Sequence, residues 1–154
     1  MTPLTIDSDS LPSPVGFSVA IQCALYDKLK ADAALTALIV DVYDDVPQAD
    51  DSGNALKFPF VTIGEDSIVR WDSMTEFGCE ASVTIHVWSR QSGRFETKVI
   101  QNAIYNALHH QELPISDYHV VDVRMEDEET FLDQDGETRH GVQTFRVVLD
   151  QLEI

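Results

Sequence analysis

The chain has 154 residues, 44% of them hydrophobic, which is long enough for one domain whose core needs no disulfide or metal staple. Its 27 acidic and 10 basic residues leave a formal charge of −17, which works against binding nucleic acid or anionic lipid. That acidity has two readings: a solvated surface, or a surface that lies beside DNA without adhering to it. Cys23 and Cys79 lack C-x-x-C spacing and sit on apolar stretches, so buried thiols in a reducing compartment are expected. No basic run followed by an apolar segment opens the chain, and no apolar stretch approaches a membrane span. A soluble protein without membrane contact, made in a cytoplasm, is the expectation.

Residues 1–14 (MTPLTIDSDSLPSP) are rich in Ser, Pro and Asp and read as a flexible arm, leaving residues 15–154 as one domain. A helix is expected from about Val15, with Phe17, Ile21, Ala24, Leu25 and Leu29 on one side and Lys28 and Lys30 near its carboxyl end. Asp32 reads as the N-cap of a short helix over 33–38. A short strand is expected over 40–46, then an acidic loop over 48–57, then a strand over 58–66 with Pro59 near its start. Extended chain bearing Trp71 follows, and 76–78 turn into the next strand.

That next strand alternates cleanly: Val83, Ile85 and Val87 share one face, while Ser82, Thr84, His86 and Trp88 share the other. After the polar residues 89–93 the period changes. Phe95, Val99, Ile100, Ala103, Ile104, Ala107 and Leu108 form an apolar stripe at helical spacing, with Glu96, Gln101, Asn102 and Asn106 on the wet side. Two long strands, 118–131 and 139–152, are joined across Asp133-Gln134-Asp135-Gly136, where Asp-Gly signals a hairpin. The order predicts an α+β fold: a mainly antiparallel sheet, two principal helices packed on it, and a long C-terminal β-hairpin.

Catalytic chemistry has little to stand on. The five histidines lack metal-ligand spacing, and His109 and His110 are adjacent, so they do not share a helix face. Asp133, Asp135, Gly136 and Glu137 resemble the start of a calcium loop, but the twelfth position is Thr144 rather than Glu, which favours a turn. Glu126, Asp127, Glu128 and Glu129 fall on a strand, so their carboxylates alternate between faces and suit a wet rim better than a cleft. No G-x-S-x-G and no glycine-rich phosphate loop occur. No enzyme activity, metal or cofactor is expected. Arg70, Trp71, Trp88, Arg90 and Arg94 are the more informative set. They either pack under a helix or sit singly on the surface, or they anchor an interface, where Trp and Arg concentrate.

The segments FPFVTIGED (58–66), HVWSRQSGRFETKVIQNAIYNAL (86–108) and RHGVQTFRVVL (139–149), with LKADAALTALI and VYDDVPQ before them, together resemble the tail-completion family of siphophages and gene transfer agents. This is the tail terminator, or head–tail joining, family, and the similarity runs from about Ile21 to the C-terminus. The resemblance implies a structural virion protein, assembled in a bacterial host cytoplasm. It would form a homo-oligomeric, hexameric ring between the tail tube and the head connector, with DNA passing through without specific binding. On that reading Arg70, Trp71, Trp88, Arg90 and Arg94 are subunit-contact candidates. Asp44, Asp45, Asp50, Asp51, Glu126, Asp127, Glu128 and Glu129 are candidates for the channel lining. The alternatives are a head-completion or connector protein on the portal side, and a metal-dependent hydrolase using the acidic cluster.

Overall fold

Period-two alternation buries one side of a strand and leaves the other to be covered or wetted. In a computed structural model, which describes residues 16–44, 57–115 and 117–151, this happens along the whole of β3 (Gly78–Ser89). Cys79, Ala81, Val83, Ile85, Val87 and Ser89 are buried, and the residues between them are less so. β3 lies between β2 (Phe60–Arg70) and β5 (Arg139–Gln151), antiparallel to both. β1 (Val42–Tyr43) adds to β2 in parallel and β4 (Tyr118–Leu132) adds to β5 antiparallel, giving the order β1-β2-β3-β5-β4. The structure is α+β, with β4 and β5 as the expected hairpin.

The helices α1 (Phe17–Ala31), α2 (Ala33–Thr36) and α3 (Phe95–Leu108) lie on one side of this sheet. Phe17, Ile21, Leu25 and Leu29 of α1 and Ile100, Ile104 and Leu108 of α3 join Val83, Ile85, Phe145, Val147 and Leu149 in one core. Asp32 caps α2 as expected, accepting from the Leu35 N–H at 2.9 Å. Cys23 and Cys79 are both buried, and burial pushes the Cys79 thiol above its usual range. Among the described residues no helix is long and apolar enough to cross a membrane.

Several local expectations are corrected. The strand expected from 58 begins at Phe60, and the extended chain expected after 66 belongs to it as far as Arg70, because β3 pairs with it through Arg70 and Cys79 despite a register shift between Ile63 and Asp66. The strand expected over 40–46 is seen only at Val42–Tyr43, and 45–46 lie outside the described residues, as does the proposed arm 1–14.

The buried face of α3 holds Ile100, Ala103, Ile104, Ala107 and Leu108 as expected, but departs from the expected one at Phe95 and Gln101. Phe95 is 79% exposed, whereas Gln101 is 1% exposed and Thr97 is buried with it. Nine residues separate Phe95 from buried Ile104, about half a turn out of phase at roughly 100° per residue. The apolar stripe read from the sequence was therefore too wide at its first residue. Gln101 is dry because β5 comes close: a Cβ on Gly141 would lie 2.6 Å from Gln101 Nε2 and 2.7 Å from Thr97 Cγ2. The Gln101 side chain donates to the Glu129 carbonyl at 3.0 Å, and Gln143 Nε2 donates to the Gln101 carbonyl at 2.9 Å. A buried amide with partners is tolerated where an unpaired one would not be.

The corrected helix face has a direct check. Ile104→Ala is expected to lower stability in urea titrations by about 2–5 kcal/mol, the range for a buried large-to-small change. Phe95→Ala is expected to stay within about 0.5 kcal/mol of the parent, as an exposed substitution.

Candidate functional site

With the helices gathered on one face, the other face of the sheet carries the even-numbered positions of β3 and β5. The strand register lines up Phe60, Trp88, His140 and Phe131 side by side across β2, β3, β5 and β4. The rings touch along this row. Phe60 and Trp88 have centroids 6.3 Å apart, Trp88 stacks on His140 at 3.8 Å, and Phe131 meets His140 at 4.8 Å. Cross-strand aromatic pairs of this kind stabilise a sheet without help from a helix. Phe58 and Tyr43 close over Phe60 from one side, leaving Phe60 only 1% exposed although the described helices lie on the other face. The Trp88 indole N–H donates to Thr62 Oγ1 at 3.1 Å.

One row further along β3, His86 lies between Glu65 and His140. Its Nε2 is 3.1 Å from Glu65 Oε2 and its Nδ1 is 2.7 Å from His140 Nε2. The Glu65 carboxyl is held below its usual range, first by its own backbone N–H and then by His86. Burial, then the neighbouring His86, pushes the His140 imidazole below its usual value. Gly64 makes room for this arrangement, since a Cβ there would sit 2.5 Å from two ring atoms of His86. At the rim Arg90 lies over the Phe58 ring at 4.3 Å, and its Nε donates to Thr138 Oγ1 at 3.4 Å.

The five residues expected at subunit contacts do not form one patch. Trp88 and Arg90 belong to the aromatic row and its rim. Arg94 is exposed at the amino end of α3. Arg70 and Trp71 lie at the opposite end of β3, where Arg70 pairs with Asp72 at 2.8 Å and covers Phe17, and Trp71 packs on Gly78. Trp88 is neither under a helix nor alone; it is the centre of a cluster.

The acidic candidates divide as well. Asp44 is exposed and accepts a hydrogen bond from Gln22 Nε2. Asp45, Asp50 and Asp51 lie outside the described residues. The row on β4 does not alternate simply, because a register shift between Met125 and Asp127 inserts Glu126 as an extra residue. Glu126 then reaches the open-face Arg146 and Arg124 at 3.8 and 3.7 Å, while Glu128 turns the other way and accepts from Gln143 at 3.0 Å. All four carboxylates are exposed because β4 is an edge strand. The loop that resembled a calcium site is a turn. Asp135 accepts from the Glu137 and Thr138 N–H groups at 2.9 and 2.8 Å and from the Thr138 hydroxyl, which lowers its pKa to about 2. Among the described residues, no group of three or more His, Cys, Asp and Glu converges as a metal site would require.

Sequence reasoning missed His140, Phe131, Phe60 and Glu65. For two of them the signal was partial: a turn confined to Asp133–Gly136 would pair Phe131 with Thr138, and only because the connection runs over 133–138 does Phe131 face His140. Phe60 and Glu65 required the register of β2 against β3, which no turn fixes.

Comparison with known proteins fits this architecture. The family described as "Tail completion protein gp17" matches residues 23–150. The tail completion protein gp17 of Bacillus phage SPP1 is 26% identical over 133 residues, spanning 86% of this chain and 94% of that protein. Among solved structures, a chain from the virion of a native gene transfer agent particle superposes with a TM-score of 0.76 at 25% identity, covering 86% of this chain and 96% of that one. The structure of SPP1 gp17 itself superposes with a TM-score of 0.56 at 23% identity, covering 94% and 96%, and speaks to the fold alone.

The role of Gly64 can be checked by substitution. Gly64→Ala is expected to displace His86 and cost about 1–3 kcal/mol, as overpacking does. Val69→Ala, at a 67% exposed position of the same strand, is the control and is expected to stay within about 0.5 kcal/mol of the parent.

Proposed function

The chain belongs to the tail completion protein gp17 family, and on that premise we propose that it is the tail terminator of a siphophage-like or gene-transfer-agent particle. Relatives of this kind are structural proteins of the virion rather than enzymes. In our reading the chain forms a homo-oligomeric, hexameric ring at the head–tail interface, assembled in the host cytoplasm. One side of the ring meets the tail tube and the other the head connector, and DNA passes through the middle.

The observation that carries this reading is the placement of the interface-type residues at two ends of one sheet. Trp88 and Arg90 stand at the carboxyl end of β3, and Arg70 and Trp71 beside its amino end. Ten residues of extended strand separate the neighbourhood of Gly78 from Trp88, about 33 Å at roughly 3.3 Å per residue. A subunit that meets one neighbour with each end makes heterologous contacts, which form a ring when the rotation between subunits closes and a filament when it does not. Arg94, exposed beyond the same end as Trp88, extends that contact.

The charge supports the conduit. Asp44, Asp45, Asp50, Asp51 and the outward members of the β4 row, Glu126, Asp127 and Glu129, are proposed to line or rim the channel, with Glu128 held back against Gln143. A lumen of one sign lets DNA slide instead of sticking. Subunits of charge −17 repel one another, and screening over about 8 Å at physiological salt relieves this only in part. The contacts then need aromatic and Arg anchors, the groups that dominate interface energetics.

Native mass over a concentration and salt series, with negative-stain images of the same fractions, tests the ring. We expect closed rings with a central hole. Trp88→Ala and Arg90→Glu are each expected to shift the mass toward monomer by at least tenfold weaker association, about 1.4 kcal/mol, with the fold intact by circular dichroism. A protein that stays monomeric even with isolated tail tubes, together with normally joined tails in particles lacking it, would overturn the proposal.

A further inference from the structure

A histidine pair on the sheet face, His140 buried and His86 partly so, has no part in the ring reading. Glu65, a carboxylate, can only accept, so the proton between it and His86 resides on His86 Nε2. A neutral His86 then offers a lone pair at Nδ1, and His140 Nε2–H donates into it across 2.7 Å. The chain Glu65–His86–His140 is complete in this state. One further proton can enter at His140 Nδ1 without breaking a bond. A second cannot, because two imidazolium rings would point N–H at N–H across the same 2.7 Å.

His140 is also the floor on which Trp88 rests, with ring centroids 3.8 Å apart at an interplanar angle of 18°. We propose that Glu65, His86 and His140 form a proton-sensitive seat under Trp88, which holds the indole in place at neutral pH and releases it when the histidine pair is fully protonated. This rests on the reading of Trp88 as a subunit contact, for which the seat supplies a control: the contact would be presented at neutral pH and withdrawn on acidification.

The charged groups around His140 come from three elements. Glu65 of β2 and Asp133 of the β4–β5 turn favour its protonation, while His86 of β3 opposes it along with burial. Burial and His86 prevail, so the imidazole sits below its ordinary value of 6.5. His140 in the fold stays neutral until the pH falls through this depressed value, so the first proton, and after it the second that breaks the chain, enters only on acidification, and the stability held above the ordinary value is lost there.

The test reads Trp88 directly, in full-length protein carrying Trp71→Phe so that one indole remains. Fluorescence is followed from pH about 8 to about 5, above the carboxylate range. We expect a red shift with a midpoint below 6.5, absent in Trp71→Phe/His140→Gln, whose amide donates to His86 but does not titrate. A flat Trp71→Phe profile, or the same transition in the His140→Gln protein, would overturn the seat. Should the His140→Gln protein fail to fold, ring signals of His86 and His140 followed by NMR in the parent decide it. Coupled titration supports the seat, and two independent transitions at the ordinary value refute it. Because Trp88 is read within the subunit, a responsive indole in a protein that never forms rings would count against the ring reading and leave the seat standing.

Discussion

The fold depends on keeping dry the sheet face turned away from α1, α2 and α3. On one side α1 and α3 supply the apolar cover. On the other, the register of four strands brings Phe60, Trp88, His140 and Phe131 into a single row. Most features of the open face follow from keeping that row packed: Thr62 satisfies the indole N–H, Phe58 and Tyr43 shield Phe60, and Gly64 lets His86 lie flat against the strand. A row of rings offers large area at low conformational cost, which is also what an interface needs.

The two faces are joined by the same kind of close approach. Gly141 on β5 lets α3 descend far enough to bury Gln101 and Thr97, and the Gln101–Gln143 pair then ties the helix to β4 and β5 through backbone carbonyls. The arrangement fixes the position of α3, and hence of the 89–94 segment that carries Arg90 and Arg94. A glycine on each face, Gly141 and Gly64, thus sets the placement of residues that the chain would use outside itself.

Charge acts on a longer scale. Fifteen residues of β4 hold one stretch of four consecutive carboxylates, and the bulge after Met125 directs Glu126 to Arg124 and Arg146 instead of leaving the row unpaired. Such exposed pairs contribute little to stability. Their effect is to relieve repulsion along a predominantly acidic edge strand, while the molecule as a whole remains strongly acidic.

Local patterns in the chain encode the elements. Alternation in 82–88, the 3.6 period that follows, the Asp32 cap and the Asp-Gly turn each encode a local conformation, because period and turn chemistry act over a few residues. The sequence also identified Trp88 and Arg90 as unusual, and the resemblance over 58–149 pointed to the family. Which residues meet was settled by long-range packing. That Trp88 lies on His140, that Glu65 reaches His86, that Phe95 points outward while Gln101 is dry, and that Arg70 and Trp71 stand a strand's length from Trp88 all depend on strand register and helix rotation. Those are set by the packing of distant segments against one another. A shift of one residue in β2, or of half a turn in α3, would leave every local pattern intact and exchange every contact.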